Sequence, residues 1–191
     1  MNFIRFAETI ETKSDKKVIS VTVTLNITDA TGKIYFTDIQ AQEGDRLTGY
    51  TKNTKEMLLN FREEGMVSNP RHYNGIVRTG ATIILLNTGK LSAGLDCRLY
   101  PIQSMEAGSI ALSQGAGSHM VTFLDAASAE NELALMASNR SCKKNGIPTL
   151  KDGFYQYTAS GDSKHNIQLQ ERKSARVLFE FQETMEGGEY I

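Results

Sequence analysis

Residues 81–102 read ATIILLNTGKLSAGLDCRLYPI and contain the most apolar run in the chain. The run at residues 81–86 is too short to cross a bilayer, which takes about 20 residues. Its β-branched residues and the nearby glycines favour a strand over a helix, and an unbroken apolar run is typical of a strand buried on both faces. We therefore predict a central strand over residues 81–86, with both faces in the core.

A second strand is predicted just downstream, where apolar and polar residues alternate. Leu95, Cys97 and Leu99 fall on one face of this strand, as the two-residue period requires. Asp96 and Arg98 are neighbours on the other face. We expect them to form a surface ion pair of small energetic weight.

Upstream, the clearest alternation lies in residues 18–27, where Val, Ile and Leu alternate with Ser, Thr and Asn. A turn at residues 29–32 and a returning strand at 33–39 complete a predicted hairpin over residues 18–40. Residues 53–63 are the best helix candidate, because Asn53 can cap them and apolar residues form a stripe on one face.

The remainder predicts short strands separated by loops. We expect strands at 76–78, 109–112, 118–124, 132–138, 154–158, 165–170 and 174–182, loops at 69–75 and 140–153, and a turn at 159–164. About ten or eleven short strands with one helix indicate a mainly β fold, an antiparallel sandwich or barrel of jelly-roll type. We expect one domain over residues 1–191, with 1–12 as a first strand or an N-terminal arm and 183–191 as a loose acidic tail.

Composition excludes several classes of protein. The net charge of −1 lacks the basic footprint of a dedicated nucleic-acid binder. The first residues, MNFIRFAETIETK, contain no long apolar run, so we expect no signal peptide, no membrane insertion and synthesis in the cytoplasm. The two cysteines do not make a disulfide framework, although a bridge between them stays open.

The sequence predicts no catalytic, cofactor-binding or metal site. His72, His119 and His165 are far apart in the sequence and show no metal-ligand spacing. The glycines at 115 and 117 are not followed by the Lys that a phosphate loop needs, and no GxSxG is present. Residues 162–165 carry an acid, a hydroxyl, an amine and an imidazole, but neighbouring residues of a turn point apart.

The two thiols have different surroundings in the sequence. Cys97 lies on the predicted buried face and is expected to act as a small apolar residue. Cys142 lies between Arg140 and Lys143, whose charges would lower the pKa of a thiol. An ordinary loop thiol is the simpler interpretation of Cys142.

Three stretches, YFTDIQAQEGDRLTG at 35–49, MEAGSIALSQGAGSH at 105–119 and residues 161–182, resemble structural proteins carried in prophages of Gram-positive bacteria. The resemblance covers most of the chain from about residue 20. The genes of such proteins lie near tail and baseplate genes. The resemblance implies a non-enzymatic component of a virion or phage-tail-like particle, present in several copies beside other phage structural proteins, and it transfers no functional residues.

The sequence thus predicts a self-associating structural protein, a homo-oligomer whose terminal strands add to a neighbour's sheet. Deletion of residues 1–12 is expected to disrupt that association. The alternative is a carbohydrate- or receptor-binding β module at a tail tip, with a glycan receptor as partner. Its binding platform would come from exposed aromatic residues among Tyr73, Tyr100, Phe154, Tyr155 and Tyr157. An enzyme is the third possibility and would need His and carboxylate groups to converge in one cleft.

Overall fold

The computed structural model describes residues 6–26, 28–29, 31–36, 39–42, 44, 57–115, 119–155, 157–160 and 162–184. Contacts divide the chain into two compact units, Met1–Lys52 and Asn53–Ile191. Residues 1–5 of the predicted arm, 53–56 of the predicted helix and 185–191 of the predicted tail lie outside the described residues.

The second unit contains fifteen strands among its described residues. They are β1 (Arg62–Glu63), β2 (Met66–Val67), β3 (Arg71–Arg78), β4 (Ala81–Leu86), β5 (Ala93–Gly94), β6 (Asp96–Pro101), β7 (Ile110–Gln114), β8 (His119–Phe123), β9 (Leu133–Met136), β10 (Ser141–Lys144), β11 (Ile147–Pro148), β12 (Lys151–Gly153), β13 (Thr158–Ala159), β14 (Asp162–Gln168) and β15 (Ser174–Phe181).

These strands form two large antiparallel sheets. One has six strands in the order β11-β10-β9-β6-β15-β3, and the other has five in the order β12-β8-β7-β14-β4. Two small sheets, β1-β2 and β13-β5, complete the unit. Over the described strands neither large sheet closes into a barrel, so the prediction of a mainly β, antiparallel sandwich is confirmed.

The core lies between the two large sheets. Alternate residues of each strand face inward, as the period of two requires. The six-stranded sheet contributes Cys97, Leu99, Leu135, Val177 and Phe179, and the five-stranded sheet contributes Ile83, Leu85, Leu112, Val121 and Ile167. The predicted inward face Leu95, Cys97 and Leu99 is fully buried, which confirms that alternation.

The strand at residues 81–86 is present as β4, but the prediction that both of its faces are buried is wrong. Ile83 and Leu85 face the core, whereas Ile84 and Leu86 are 60% and 67% exposed. β4 is the last strand of the five-stranded sheet and pairs only with β14 among the described strands. An apolar run can therefore be one-sided, because an antiparallel sheet can leave one face in water.

The predicted hairpin over residues 18–40 is absent wherever that stretch is described. Residues 18–26, 31–36 and 39–40 carry no strand, and every one of them is exposed. Alternating side chains are not sufficient for a strand, because a strand also requires a partner for its backbone groups. The same correction applies to residues 6–12 of the predicted first strand.

The helix predicted at 53–63 is also wrong for most of its described part. Only Met57 and Leu58 are helical, and Arg62–Glu63 is strand β1. The Phe61 amide donates to Gln182 Oε1 at 2.7 Å, and the Phe61 carbonyl accepts from the Ser68 amide at 2.9 Å. These tertiary hydrogen bonds replace the ones that a helix would supply.

Three predicted irregular stretches contain strands. Residues 71–75 belong to β3, residues 162–164 belong to β14, and the basic loop at 140–153 contains β10, β11 and β12. Within that loop Asn145 and Gly146 adopt φ of 51° and 79°, the left-handed geometry of a tight hairpin turn. The Asn-Gly pair was the local signal for this hairpin.

Candidate functional site

The strongest catalytic constellation that the fold assembles is a buried Ser–His pair on β14. Ser163 and His165 share the inward face, and His165 Nε2 lies 3.0 Å from Ser163 Oγ. The imidazole packs against the rings of Phe179 and Tyr157, with centroids 5.3 and 6.2 Å away. Burial lowers the pKa of His165 to about 4, so the ring is neutral at physiological pH.

This pair has the distance of a nucleophile and a base, but not their access. Both side chains are buried inside the sandwich, and His165 Nδ1 has no hydrogen-bond partner to orient the ring. Catalytic nucleophiles need a reachable oxygen and a base held by a third group. The pair therefore acts as core packing.

Asp96 is the centre of a second buried polar cluster, and the predicted surface ion pair with Arg98 is wrong. Asp96 is buried and forms its ion pair with Arg62, while its carboxylate also accepts from the Ala137 amide at 2.9 Å and from Asn60 Nδ2 at 3.3 Å. Burial raises the pKa of Asp96, and the Arg62 guanidinium and the hydrogen bonds oppose that rise. This cluster ties β6 to β1 and to the residues after β9.

Arg98 instead pairs with Glu180 of the neighbouring strand β15. On the same outer face of the six-stranded sheet, Arg176 lies 4.4 Å from the centroid of the Tyr100 ring. The Tyr100 hydroxyl donates to Glu132 at 3.0 Å. Arg98 and Glu180 neutralise each other, while Arg176 and Glu132 both contact Tyr100, which is typical of a ladder of side chains across neighbouring strands.

Glu183 and Thr184 begin the tail that the sequence predicted to be loose, yet both are buried. Glu183 accepts from the Thr88 amide at 2.7 Å and from the Arg71 Nε at 3.0 Å, and the Lys90 amide donates to the Thr184 carbonyl at 3.0 Å. Burial would raise the pKa of Glu183, but these partners outweigh it and the pKa is lowered. These hydrogen bonds therefore hold the start of the tail against the loop after β4.

The two cysteines are both buried and reduced. Cys97 and Cys142 pair with the same residue, Leu135, from opposite sides, so two strand spacings of about 4.8 Å separate them. That separation exceeds the roughly 7 Å limit for a disulfide between Cα atoms. Burial raises the pKa of Cys142 to about 11, which excludes the alternative of a lowered pKa, and the thiol lies in β10 and not in the predicted loop.

The histidines and the described aromatic residues do not form an exposed platform. His72 lies on β3 and His119 on β8, both exposed, while His165 is in the core. Tyr155 and Tyr157 are buried, with hydroxyls that donate to the carbonyls of Leu95 and Leu112. Among the described residues, no group of three or more His, Cys, Asp or Glu side chains is arranged to hold a metal ion.

Two of the apolar features on the surface of the described residues lie on strand-like stretches. The first is the segment 18–26, called here the N-terminal segment. Its alternating apolar side chains are Ile19, Val21, Val23 and Leu25, and each is about half exposed or more, with Ile19 at 95%. The described part of the first unit buries none of its residues.

The second feature is the β4 edge, formed by the free side of β4 with the exposed Ile84 and Leu86. The sequence alone does not identify either residue as a surface group. No local signal distinguishes an edge strand from a central one, since its position depends on strands far away in the chain.

Apolar helices of membrane-spanning length do not occur in the described part of the chain. No protein family, curated protein or solved structure matches this chain, so its function has to be inferred from its own residues.

Proposed function

We propose that this chain is a non-enzymatic structural protein that self-associates and contacts other structural proteins of a phage or phage-tail-like particle. The observation that carries the proposal is the N-terminal segment, whose apolar side chains are exposed and which pairs with no strand among the described residues. Monomeric proteins rarely expose contiguous apolar surface, and such surface is typical of protein–protein contacts.

Burial of the apolar side chains of the N-terminal segment would contribute free energy to association. Full burial of a Val, Leu or Ile side chain contributes about 1.5–3 kcal/mol. The four apolar side chains of the N-terminal segment are each about half exposed or more. Their burial in an assembly would therefore contribute several kcal/mol, enough to offset part of the entropy lost on association.

The resemblance of residues 35–49, 105–119 and 161–182 to prophage structural proteins suggests that the assembly is a phage or phage-tail-like particle. A component present in several copies needs a surface that recognises further copies or neighbouring proteins. The exposed segment and the open sheet edge would supply such surfaces.

The glycan-binding alternative is less well supported. Of its five candidate aromatic residues, Tyr155 and Tyr157 are buried and Tyr100 is covered by Arg176. Phe154 is half exposed, with Arg140 5.7 Å from its ring centroid. Stacking on a sugar needs an open aromatic face, which this arrangement offers at few positions.

The test is the solution mass of the full chain, measured by light scattering over a concentration series. We expect a mass above that of the monomer. The double variant Val21→Lys/Val23→Lys should reduce it, since charge on the apolar face opposes burial. A strictly monomeric wild-type protein at all concentrations would overturn the proposal.

A further inference from the structure

We propose that the N-terminal segment of one copy adds as a strand to the β4 edge of a second copy. The inference rests on the proposed self-association and names its two surfaces. It follows from a complementarity among the described residues, which include a strand-like segment that forms no strand and a sheet edge that pairs with no further strand.

The β4 edge is the least protected of the four edges of the large sheets. Sheet edges usually carry charges, proline or short strands that block pairing with another chain. β3 carries Arg71, His72 and Arg78; β11 has only two residues and includes Pro148; β12 has three residues and includes Lys151 and Asp152. β4 has six residues, ATIILL, without charge or proline.

The outer face beside this edge is also apolar. Ile84 and Leu86 point away from the core and remain exposed. Across the sheet, Ile84 pairs with Lys164 on β14, and its other side has no strand neighbour among the described residues. An added strand would pair with the open backbone of β4 and place its own side chains beside these two, covering part of their exposed surface.

The N-terminal segment has the properties of such a strand. Residues 18–26 read VISVTVTLN, with no charge, no proline and β-branched residues at most positions. In extended form these residues exceed the six of β4 in length, at about 3.3 Å per residue. One face would place Ile and Val beside Ile84 and Leu86, and the other would present Ser and Thr.

The pairing predicts the kind of assembly. Each copy has one donor segment and one acceptor edge, and the two surfaces differ. One-way addition of the segment produces closed rings or open filaments, whereas reciprocal exchange between two copies produces a two-fold dimer. We therefore expect the mass to reach at least that of a dimer as the concentration rises.

The experiment is hydrogen–deuterium exchange of the full chain, with light scattering on the same samples. We expect amides of residues 18–26 and of β4 to gain protection together as the mass rises. Ile84→Lys should raise the dissociation constant at least about tenfold, because it places a charge in the covered face. Ile76→Lys is the matched control, since Ile76 is 69% exposed on the edge strand β3, and it should leave assembly unchanged.

The outcomes separate this inference from the proposed function. Oligomers in which residues 18–26 exchange freely would overturn strand addition and leave self-association standing. Equal weakening by Ile84→Lys and Ile76→Lys would overturn the choice of edge. Protection of residues 18–26 in a monomer would overturn pairing between copies, and a monomer without protection would overturn both proposals.

Discussion

His165 Nε2 lies 3.0 Å from Ser163 Oγ inside the sandwich, while Nδ1 of the same ring has no partner. A buried imidazole with only one hydrogen-bonded nitrogen is stable only in its neutral form. Its protonation therefore opposes folding, and the pH dependence of stability is the way to observe this.

Acid should destabilise the protein through His165. The unfolded chain binds the proton near the ordinary pKa of 6.5, whereas burial lowers the folded pKa to about 4. The stabilising contribution is complete above pH 6.5 and is lost as the pH falls toward 4, for a total of about 3 kcal/mol.

Chemical denaturation between pH 7.5 and 4 measures this loss. His165→Gln has no proton to gain in that range, so its free energy of unfolding should fall less than that of the wild type. The exposed His72→Gln is the control and should retain the wild-type slope. Identical slopes for the wild type and His165→Gln would contradict the prediction.

Loss of Arg62 should be costly, because it leaves the buried Asp96 carboxylate without its counter-ion. We expect Arg62→Met to lower the free energy of unfolding by about 3 kcal/mol. Arg98→Met, which breaks the more exposed pair with Glu180, should cost about 1 kcal/mol. Urea denaturation of both variants at neutral pH makes the comparison.

A double variant checks the cause. With Asp96→Asn already in place, Arg62→Met should cost clearly less, because no buried charge remains to be neutralised. Equal costs in the two backgrounds would mean that Arg62 contributes through packing and not through its charge.

Glu183 should anchor the end of β15 to the loop after β4. Glu183→Gln weakens the ion pair with Arg71 and the bonds from Thr88, at an expected cost of about 2 kcal/mol at pH 7. Because the folded pKa is lowered, the advantage of the wild type is present above the ordinary value of 4.5 and disappears as the pH falls below it.

The measurement is the difference in unfolding free energy between the wild type and Glu183→Gln at pH 7 and at acidic pH. The exposed Glu171→Gln serves as the control and should behave like the wild type. A tail that was loose from residue 183 onward would give no difference for either variant.

Gly94 should not tolerate a side chain. A Cβ at this position would lie 2.4 Å from the carbonyl oxygen of Leu58, and a backbone atom cannot move aside cheaply. We expect Gly94→Ala to cost about 2–3 kcal/mol, seen as a lower midpoint in thermal unfolding.

Gly108 is the comparison for this steric effect. Its φ of 73° disfavours alanine, but nothing lies within 4 Å of the added Cβ. Gly108→Ala should therefore cost about 1 kcal/mol. A cost for Gly94→Ala no larger than that of Gly108→Ala would show that β5 can move away from Leu58.

Side-chain alternation depends only on neighbouring residues, so it could be predicted from the sequence. It correctly placed Leu95, Cys97 and Leu99 on one buried face and located β4, β7, β8, β9 and β15. The antiparallel β class followed from the number and spacing of these short patterns. The hairpin at Asn145 and Gly146 was also available from its turn residues.

Only the tertiary structure determines which residues far apart in the chain contact each other. Asp96 meets Arg62 and not Arg98, and Ser163 meets His165 because both lie in a strand and not in a turn. The same holds for β4, whose apolar run has one exposed face because its outward side chains Ile84 and Leu86 are left uncovered in the described structure. Alternation is set by the geometry of one strand, whereas burial and charge pairing depend on which other segments fold against it.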